Sequence, residues 1–312
     1  MIRFDSNYWA VIIGGSSGFG LATAKKLACH GMNLCIVHRD RRGSMKAIQP
    51  HFDAIKEMGV NVLTFNTDAL SDEGRSSVVQ GLQETLKEAG KVRMILHAVA
   101  FGNLKLLTPY VPSESSKTAR NRLADALHVS TVDLDRAVET LWQEGVEDLH
   151  GIVTPPLYNN EMMLDKGDFE RTLQAMGSNI IEWVQDLHAR QLFAKDARVL
   201  SLTSEGNTIA WKGYAAVSAA KAVLESVSRA MAVEFAPYGI RSNVIQAGVT
   251  DTPALRAIPG SAHIKAKARL RNPMGRLTEP EDVANFIFLL CMDEAAWVNG
   301  SLICVDGGER IA

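Results

Sequence analysis

The sequence predicts an α/β fold: a Rossmann-type doubly wound parallel sheet, one domain with a helical insertion after the fourth strand. Three observations lead there. Seven short apolar runs alternate with amphipathic helical stretches. Most of the runs are β-branched or apolar throughout, as parallel strands buried on both faces must be. A glycine-rich turn, GGSSGFG at 14–20, joins the first run to the first helical stretch. Strand–helix alternation of this kind means a doubly wound sheet.

The strand candidates are WAVII (9–13), NLCIVH (33–38), VNVLTF (60–65), VRMILHAV (92–99), ARVLSLT (197–203), IRSNVIQA (240–247) and SLICVD (301–306). Helical patterns fall at 18–30, 44–58, 72–89, 168–190, 214–236 and 279–292. Between Leu104 and Asp165 no strand is readable. There SESSKTARNRLADAL (113–127) and STVDLDRAVETLWQEG (130–145) read as helices. Ser130 with Asp133 resembles a capping box, and Leu134, Val138, Leu141 and Trp142 share one face. This is the expected insertion, 104–165. Ligands of such sheets bind outside the carboxyl ends of the strands. The insertion leaves from that edge, so it is either a lid over the substrate or a packing or oligomer-contact ornament.

The 312 residues are 46% hydrophobic and 22% charged, which describes a globular protein, expected here as one domain over 1–312. The formal net charge of −2, with no long basic run, gives no electrostatic reason to expect nucleic acid. No apolar run reaches the ~20 residues that span a bilayer, and the start lacks a signal-peptide layout. No membrane partner is expected. Cys29, Cys35, Cys291 and Cys304 show no metal-ligand spacing and lie in apolar contexts. They are expected to be buried thiols of a cytoplasmic protein. Eight histidines are scattered without ligand spacing, so no metal is expected.

In the glycine turn, Gly14 permits the sharp bend, Gly18 lets backbone approach a pyrophosphate, and Gly20 lets the helix pack on the sheet. The helix N-terminus offers free N–H groups to phosphates. The spacing G-x-x-x-G-x-G differs from the commoner G-x-G-x-x-G, but it stands between strand and helix, the context such a motif requires. A purely structural turn is the alternative. About twenty residues on, where NAD-binding sheets place an acid on the ribose, the chain has His38 and then Arg39. An arginine there suits a 2′-phosphate, to which Ser16 and Ser17 can also donate. NADPH is the expected cofactor; the plain alternative for Arg39 is a surface cation. Asp40 is expected to face solvent, and Asp68 to contact the adenine amino group.

Tyr214 and Lys221 lie seven residues apart in YAAVSAAK. On a helix, positions i−4 and i−7 both share the face of Lys221, at about 40° and 20° around the axis. The i−4 residue is Val217, which cannot donate a proton. Tyr214, at i−7, lies roughly 4.5 Å farther along the axis. In carbonyl reduction hydride attacks the carbon bearing the oxygen to be protonated. In conjugate reduction it attacks the β-carbon, and the developing oxyanion is two atoms farther off. The displaced donor fits the second geometry, with Tyr214 hydrogen-bonding an enolate oxygen and Lys221 holding the nicotinamide ribose. A surface tyrosine and a snorkelling lysine are the plain alternative.

At this point the chain resembles the short-chain dehydrogenase/reductase superfamily, over nearly everything except 104–165. The segments that carry the resemblance are GGSSGFGLA, YAAVSAAKAVLESVSRAMAVEFAPYGIRSNVIQAG (214–248), AGVTDTPALRAIPG (247–260), NPMGRLTEPEDVANFIFLL (272–290) and SLICVDGG. Tyr-x6-Lys is the pattern of its enoyl-acyl-carrier-protein reductases, where ordinary members have Tyr-x3-Lys. HAVAFGN (97–103) is also similar to the enoyl reductases. The resemblance implies that 247–260 opens a mobile substrate-binding segment, with Thr250 at the nicotinamide carboxamide and Thr252 beside the pyrophosphate. Ser204, thirteen residues before Val217, resembles the serine kept by the NADPH-preferring branch. Met176 stands where ordinary members have a relay asparagine, and Ile13 replaces the loop's usual threonine.

The site so implied has Tyr214, Lys221 and Ser204 as catalytic residues. Its cofactor set is Gly14, Ser16, Ser17, Gly18, Phe19, Gly20, His38, Arg39, Asp68, Ala69, Ala98, Val99, Ala100, Lys221, Gly248, Thr250 and Thr252. The implied activity is NADPH-dependent reduction of trans-2-enoyl thioesters on acyl carrier protein in fatty acid biosynthesis, by a homotetramer. A 3-ketoacyl or other carbonyl reductase, and a non-catalytic NADPH-binding module, are the alternatives. Tyr158, in PPLYNN, is either a second active-site hydroxyl or a packed loop residue. His97 is expected to contribute backbone alone, and Glu205 to be structural.

Overall fold

A computed structural model of the chain describes residues 3–111 and 114–312. The seven strands are β1 (Tyr8–Ile13), β2 (Asn33–His38), β3 (Val62–Asn66), β4 (Lys91–His97), β5 (Phe193–Thr203), β6 (Ile240–Ala247) and β7 (Leu302–Val305). They form one parallel sheet in the order β3-β2-β1-β4-β5-β6-β7. The strand order reverses between β1 and β4, and their carboxyl ends, Ile13 and His97, stand side by side. Connections leaving in opposite directions there leave a crevice in which such sheets hold ligands.

Alternate residues of each strand feed two cores. Trp9, Val11 and Ile13 face α3 (Asp72–Leu86), α7 (Asn179–Ala189) and α8 (Ala215–Glu234). Ala10 and Ile12 face α1 (Gly18–Cys29), α2 (Arg42–Lys56) and α11 (Pro280–Leu290). Both faces being covered explains why β2 is buried at every residue. The edge strands β3 and β7 are half exposed.

At the amino ends of the central strands, Asp196 receives hydrogen bonds from Arg93 (2.7 Å), Arg198 and Arg241. Arg93 and Arg198 are 1% and 0% exposed. Their remaining N–H groups donate to the carbonyls of Leu290, Cys291 and Met292, and Arg93 also donates to the Asp293 carboxylate at 2.7 Å. The two arginines thus satisfy orphan carbonyls at the C-terminus of α11.

The insertion carries α4 (Glu114–Leu127) and α5 (Thr131–Gln143); Ser113, the first residue of the expected helix, lies outside the described residues. The Ser130 hydroxyl accepts from the Asp133 N–H as the helix cap. Ala124, Leu134, Val138 and Val153 form a small core of their own, with Trp142 packed against it. Leu141 faces outward, 42% exposed, contrary to the helical-face reading. A long helix expected over 168–190 is divided into α6 (Lys166–Leu173), a π-helical turn over Gln174–Ser178, and α7. Cys35 and Cys291 are buried, their thiols pushed up to about 12 by burial. Cys29 and Cys304 are exposed, which corrects the expectation for those two: Cys29 ends α1, and Cys304 lies on the edge strand β7. Among the described residues no helix is long and apolar enough to cross a membrane.

Candidate active site

The glycine turn follows from local sterics. Gly14 has φ +89°, and a Cβ there would lie 2.6 Å from the Ala98 carbonyl oxygen. Gly18 (φ +49°) faces Thr252, 3.3 Å from where its Cβ would be. Gly20 packs directly on the Gly14 carbonyl. Ser17 caps α1 without a side-chain hydrogen bond, and the first turn holds no acid, so its N–H groups stay free for phosphate.

Two cavities adjoin along the crevice and share Ala98, Val99 and Ala100. The outer one is lined by Gly14, Ser16, Ser17, His38, Arg39, Asp68 and Ala69. The inner one, of about 220 Å³, is lined by Phe19, Ser204, Tyr214, Val217, Lys221, Gly248, Thr250 and Thr252, among others. Of the residues singled out in the sequence, Gly18 and Gly20 do not line either cavity and act through backbone packing. The outer cavity has the shape and donors for an adenosine half, and the inner one for a nicotinamide half with a substrate beside it.

Local pairing modifies the outer cavity. Arg39 donates to Asp68 at 2.7 Å and lies over the Phe101 ring, 4.9 Å from its centroid. Arg39 and Asp68, expected at a 2′-phosphate and at an adenine amino group, both line this cavity and pair with each other. Asp40 does not simply face solvent: its carboxylate is 2.9 Å from His38 Nδ1, and its backbone N–H and carbonyl pair with Asn66. Ala69 offers its carbonyl to Trp183 and Asn179, which fixes this wall.

In the inner cavity Tyr214 is the cap residue of α8 rather than part of its first turn. Its hydroxyl is 3.3 Å from Ser204 Oγ. Burial raises the Tyr214 pKa, against a smaller lowering by Ser204. Lys221 is buried and donates to the Leu202 carbonyl at 2.8 Å. Burial lowers its pKa to about 8, with Glu225 acting the other way. His97 is buried beside it and held neutral, its pKa lowered to about 3 by burial and by the Lys221 charge. Neither its ring nor its backbone lines the two cavities, so the backbone contribution expected of His97 is not seen.

Three residues of the site were missed in the sequence. Gly206 lies under the Tyr214 ring, where a Cβ would come within 2.5 Å of Cε1. Trp211 packs against the same ring, centroids 5.1 Å apart and planes tilted by 58°. Leu104, at the root of the insertion, closes the cavity. Leu104 is brought here by tertiary packing alone, and Gly206 and Trp211, just before Tyr214 in the chain, by a loop that no spacing rule reports. Met176 lines the cavity from the π-helical turn, a bulge type frequent at functional sites. Tyr158 stacks on Tyr110 (4.9 Å) and is not in the lining, so it is the packed loop residue. Glu205 lines the cavity and is bonded to Arg271, which also holds Glu309 (2.7 Å).

The insertion meets the site indirectly. Its Trp142 stacks on His263 and its Glu147 pairs with Arg269, both on α10 (Ser261–Arg271). With α9 (Pro253–Arg256), α10 forms the segment expected to bind substrate. The insertion therefore braces that segment as well as contributing Leu104.

Comparison with known proteins agrees with this geometry. The family described as short chain dehydrogenase matches residues 8–145, and that described as Enoyl-(Acyl carrier protein) reductase matches 145–309. The chain is 28% identical to cis-4-hydroxycyclohexanecarboxylate dehydrogenase of Sinomonas cyclohexanicum, over 96% of this chain and 95% of that protein. It is 24% identical to a tropinone reductase homolog of Arabidopsis thaliana, over 97% and 90%. Among solved structures, FabI from Candidatus Liberibacter asiaticus superposes with a TM-score of 0.72 at 18% identity, covering 100% of this chain and 98% of that one. A short chain dehydrogenase from Burkholderia cenocepacia J2315, in complex with NADP, gives 0.69 at 20% identity, with 99% of each covered.

Proposed function

The chain belongs to the short-chain dehydrogenase/reductase superfamily, and from that premise we propose that it is an NADPH-dependent enoyl-acyl-carrier-protein reductase. The observation that carries this reading is one cavity lined by Tyr214 and Lys221 with Val217 between them in sequence. A carbonyl reductase of this superfamily needs its donor where Val217 stands. NADPH, when bound, would supply the hydride that the β-carbon of a trans-2-enoyl thioester receives. The electron pair of the C=C then moves onto the carbonyl oxygen. Tyr214, neutral because burial raises its pKa, donates a hydrogen bond to that oxygen. Ser204 orients the Tyr214 hydroxyl, and Lys221 holds the ribose. The α-carbon takes its proton from solvent. The reading extends to an acyl-carrier-protein thioester as substrate, a homotetramer and a cytoplasmic setting in fatty acid biosynthesis.

The relatives named as dehydrogenases and ketone reductases favour a second reading, carbonyl reduction. NADPH oxidation followed by absorbance separates the two. Turnover of a trans-2-enoyl thioester, and not of a 3-ketoacyl thioester, is expected. Turnover of the keto substrate alone would replace the first reading with the second. NADPH bound without turnover of either would leave a non-catalytic module.

Cofactor choice rests on Arg39. Arg39→Ala is expected to raise KM for NADPH about tenfold or more and to leave KM for NADH nearly unchanged. Asp68→Asn is expected to lower KM for NADPH, because Arg39 then loses its competing partner. Initial rates with both cofactors check the pair.

Lys221 sets an alkaline limit. Its ammonium form prevails below about 8 and is lost above. The expected kcat/KM therefore falls as pH rises through about 8. Stability responds with the opposite sign. The native state releases this proton more readily than the unfolded chain, whose lysine titrates near 10.5. Between these values the unfolded chain binds more protons, so this group's contribution to stability rises with pH. A pH–rate profile alongside pH-dependent denaturation measures both.

A further inference from the structure

We propose that the acyl group carries a hydroxyl at its far end and that a second cavity beyond Trp211 receives it. This rests on the enoyl-thioester reading of the inner cavity and adds a substrate class to it. The second cavity, of about 210 Å³, lies between the insertion, through His150, and α10. Glu205, Trp211 and Val249 line both cavities, so the two adjoin along these side chains. On the substrate side of the inner cavity the lining is apolar, with Leu104, Met176, Val217 and Leu255, as a hydrocarbon chain requires.

The second cavity is different in chemistry. Three of its lining side chains each hold a buried polar atom with no hydrogen-bond partner: His150 Nδ1, Glu205 Oε2 and Arg271 Nε. Glu205 is only 7% exposed. Its other oxygen is held by Arg271, and Arg271 is held in turn by Glu309, so this arrangement is fixed. Buried groups left unpaired carry their whole desolvation penalty. The Glu205 oxygen needs a donor and the Arg271 N–H needs an acceptor. A hydroxyl is both. A methyl end is neither, and a carboxylate end would serve Arg271 and Lys267, which also lines the cavity, while opposing the buried Glu205 oxygen.

Calorimetric titration tests this with the NADP⁺-loaded protein and saturated N-acetylcysteamine thioesters. The thioesters are used in pairs of equal length, ending in methyl or hydroxyl, over a series of increasing length. At the length that reaches past Trp211, the hydroxyl end is expected to bind about tenfold tighter. Glu205→Gln is expected to reduce that preference to below about threefold. Ile209→Trp fills the cavity from its exposed rim, away from Tyr214 and Lys221, and serves if the buried variant fails to fold. It is expected to remove the preference while a short methyl-ended thioester binds as before. Equal affinity for both ends at every length would overturn the proposal, leaving water as the partner of these atoms. An undiminished preference in Ile209→Trp, or tighter binding of a carboxylate-ended thioester, would overturn it too. If no thioester binds, both this proposal and the enoyl reading fall. If thioesters bind and enoyl turnover is seen without an end-group preference, the distal site alone falls.

Discussion

Tyr214→Phe is expected to lower kcat for enoyl reduction about 10²–10³-fold while NADPH affinity stays within about twofold. The argument is one of position. The hydroxyl projects into the inner cavity 3.3 Å from Ser204, whereas the ring packs against Gly206 and Trp211. Phenylalanine keeps the ring and loses the hydrogen bond that strengthens as charge develops on the substrate oxygen. Such a loss appears in kcat rather than in cofactor binding. Ser204→Ala removes the partner and leaves the donor, so a smaller fall, about tenfold, is expected. Single-turnover kinetics and NADPH fluorescence titration measure the two quantities separately. A Tyr214→Phe protein as active as the original would remove Tyr214 from the mechanism.

The largest stability effect is expected at Asp196. Asp196→Asn should destabilise the fold by about 3–5 kcal/mol, a fall in Tm of roughly 10 °C. Arg93 and Arg198 are almost wholly buried, and both share this carboxylate with Arg241. Without its charge, buried Arg198 loses its carboxylate partner and Arg93 is left with Asp293 alone. Burial alone would raise the Asp196 pKa, but the hydrogen bond from Arg198 and the charges of Arg198, Arg93 and Arg241 outweigh it and hold it below 3.8. A depressed native pKa gives stability that is present above the unfolded value and lost as pH falls through the native one. The variant should therefore show a flatter stability curve in acid. Urea denaturation at neutral and acid pH checks both statements.

The sheet was legible in the sequence because its strands must be apolar on both sides. The seven runs match the seven strands, with shifts where tertiary structure decides. β4 stops at His97, two residues short of the apolar run, because Ala98 and Val99 leave the sheet to form the crevice wall. β5 starts at Phe193, four residues early, through a polar stretch whose Asp196 is recruited by the arginines. The π-helical turn escaped detection because one extra residue barely disturbs a helical period. α10 escaped because SAHIKAKARLR shows no apolar stripe. The expected site residues are brought to one crevice, since the spacing of Tyr214 and Lys221 and the glycine turn are local features. The Arg39–Asp68 pair, the packing of Gly206 and Trp211 about Tyr214, and the second cavity were not legible. The pair and the cavity join segments far apart in the chain; Gly206 and Trp211 are near Tyr214 in sequence, but their contacts depend on a loop with no periodic signal.

The insertion also bears on how the chain folds. β4 and β5 are neighbours in the sheet, and residues 104–165 roughly triple the connection between them. Loop-closure entropy grows only with the logarithm of length, so the added cost is about 1 kcal/mol. Part of the insertion's ordering is offset locally, in the small core of Leu134, Val138 and Val153, and part where Trp142 and Glu147 meet α10. Strand pairing at the centre of the sheet is thus nearly indifferent to what loops out between its partners. A chain of this design can exchange the wall around its substrate without renegotiating the order in which its sheet assembles.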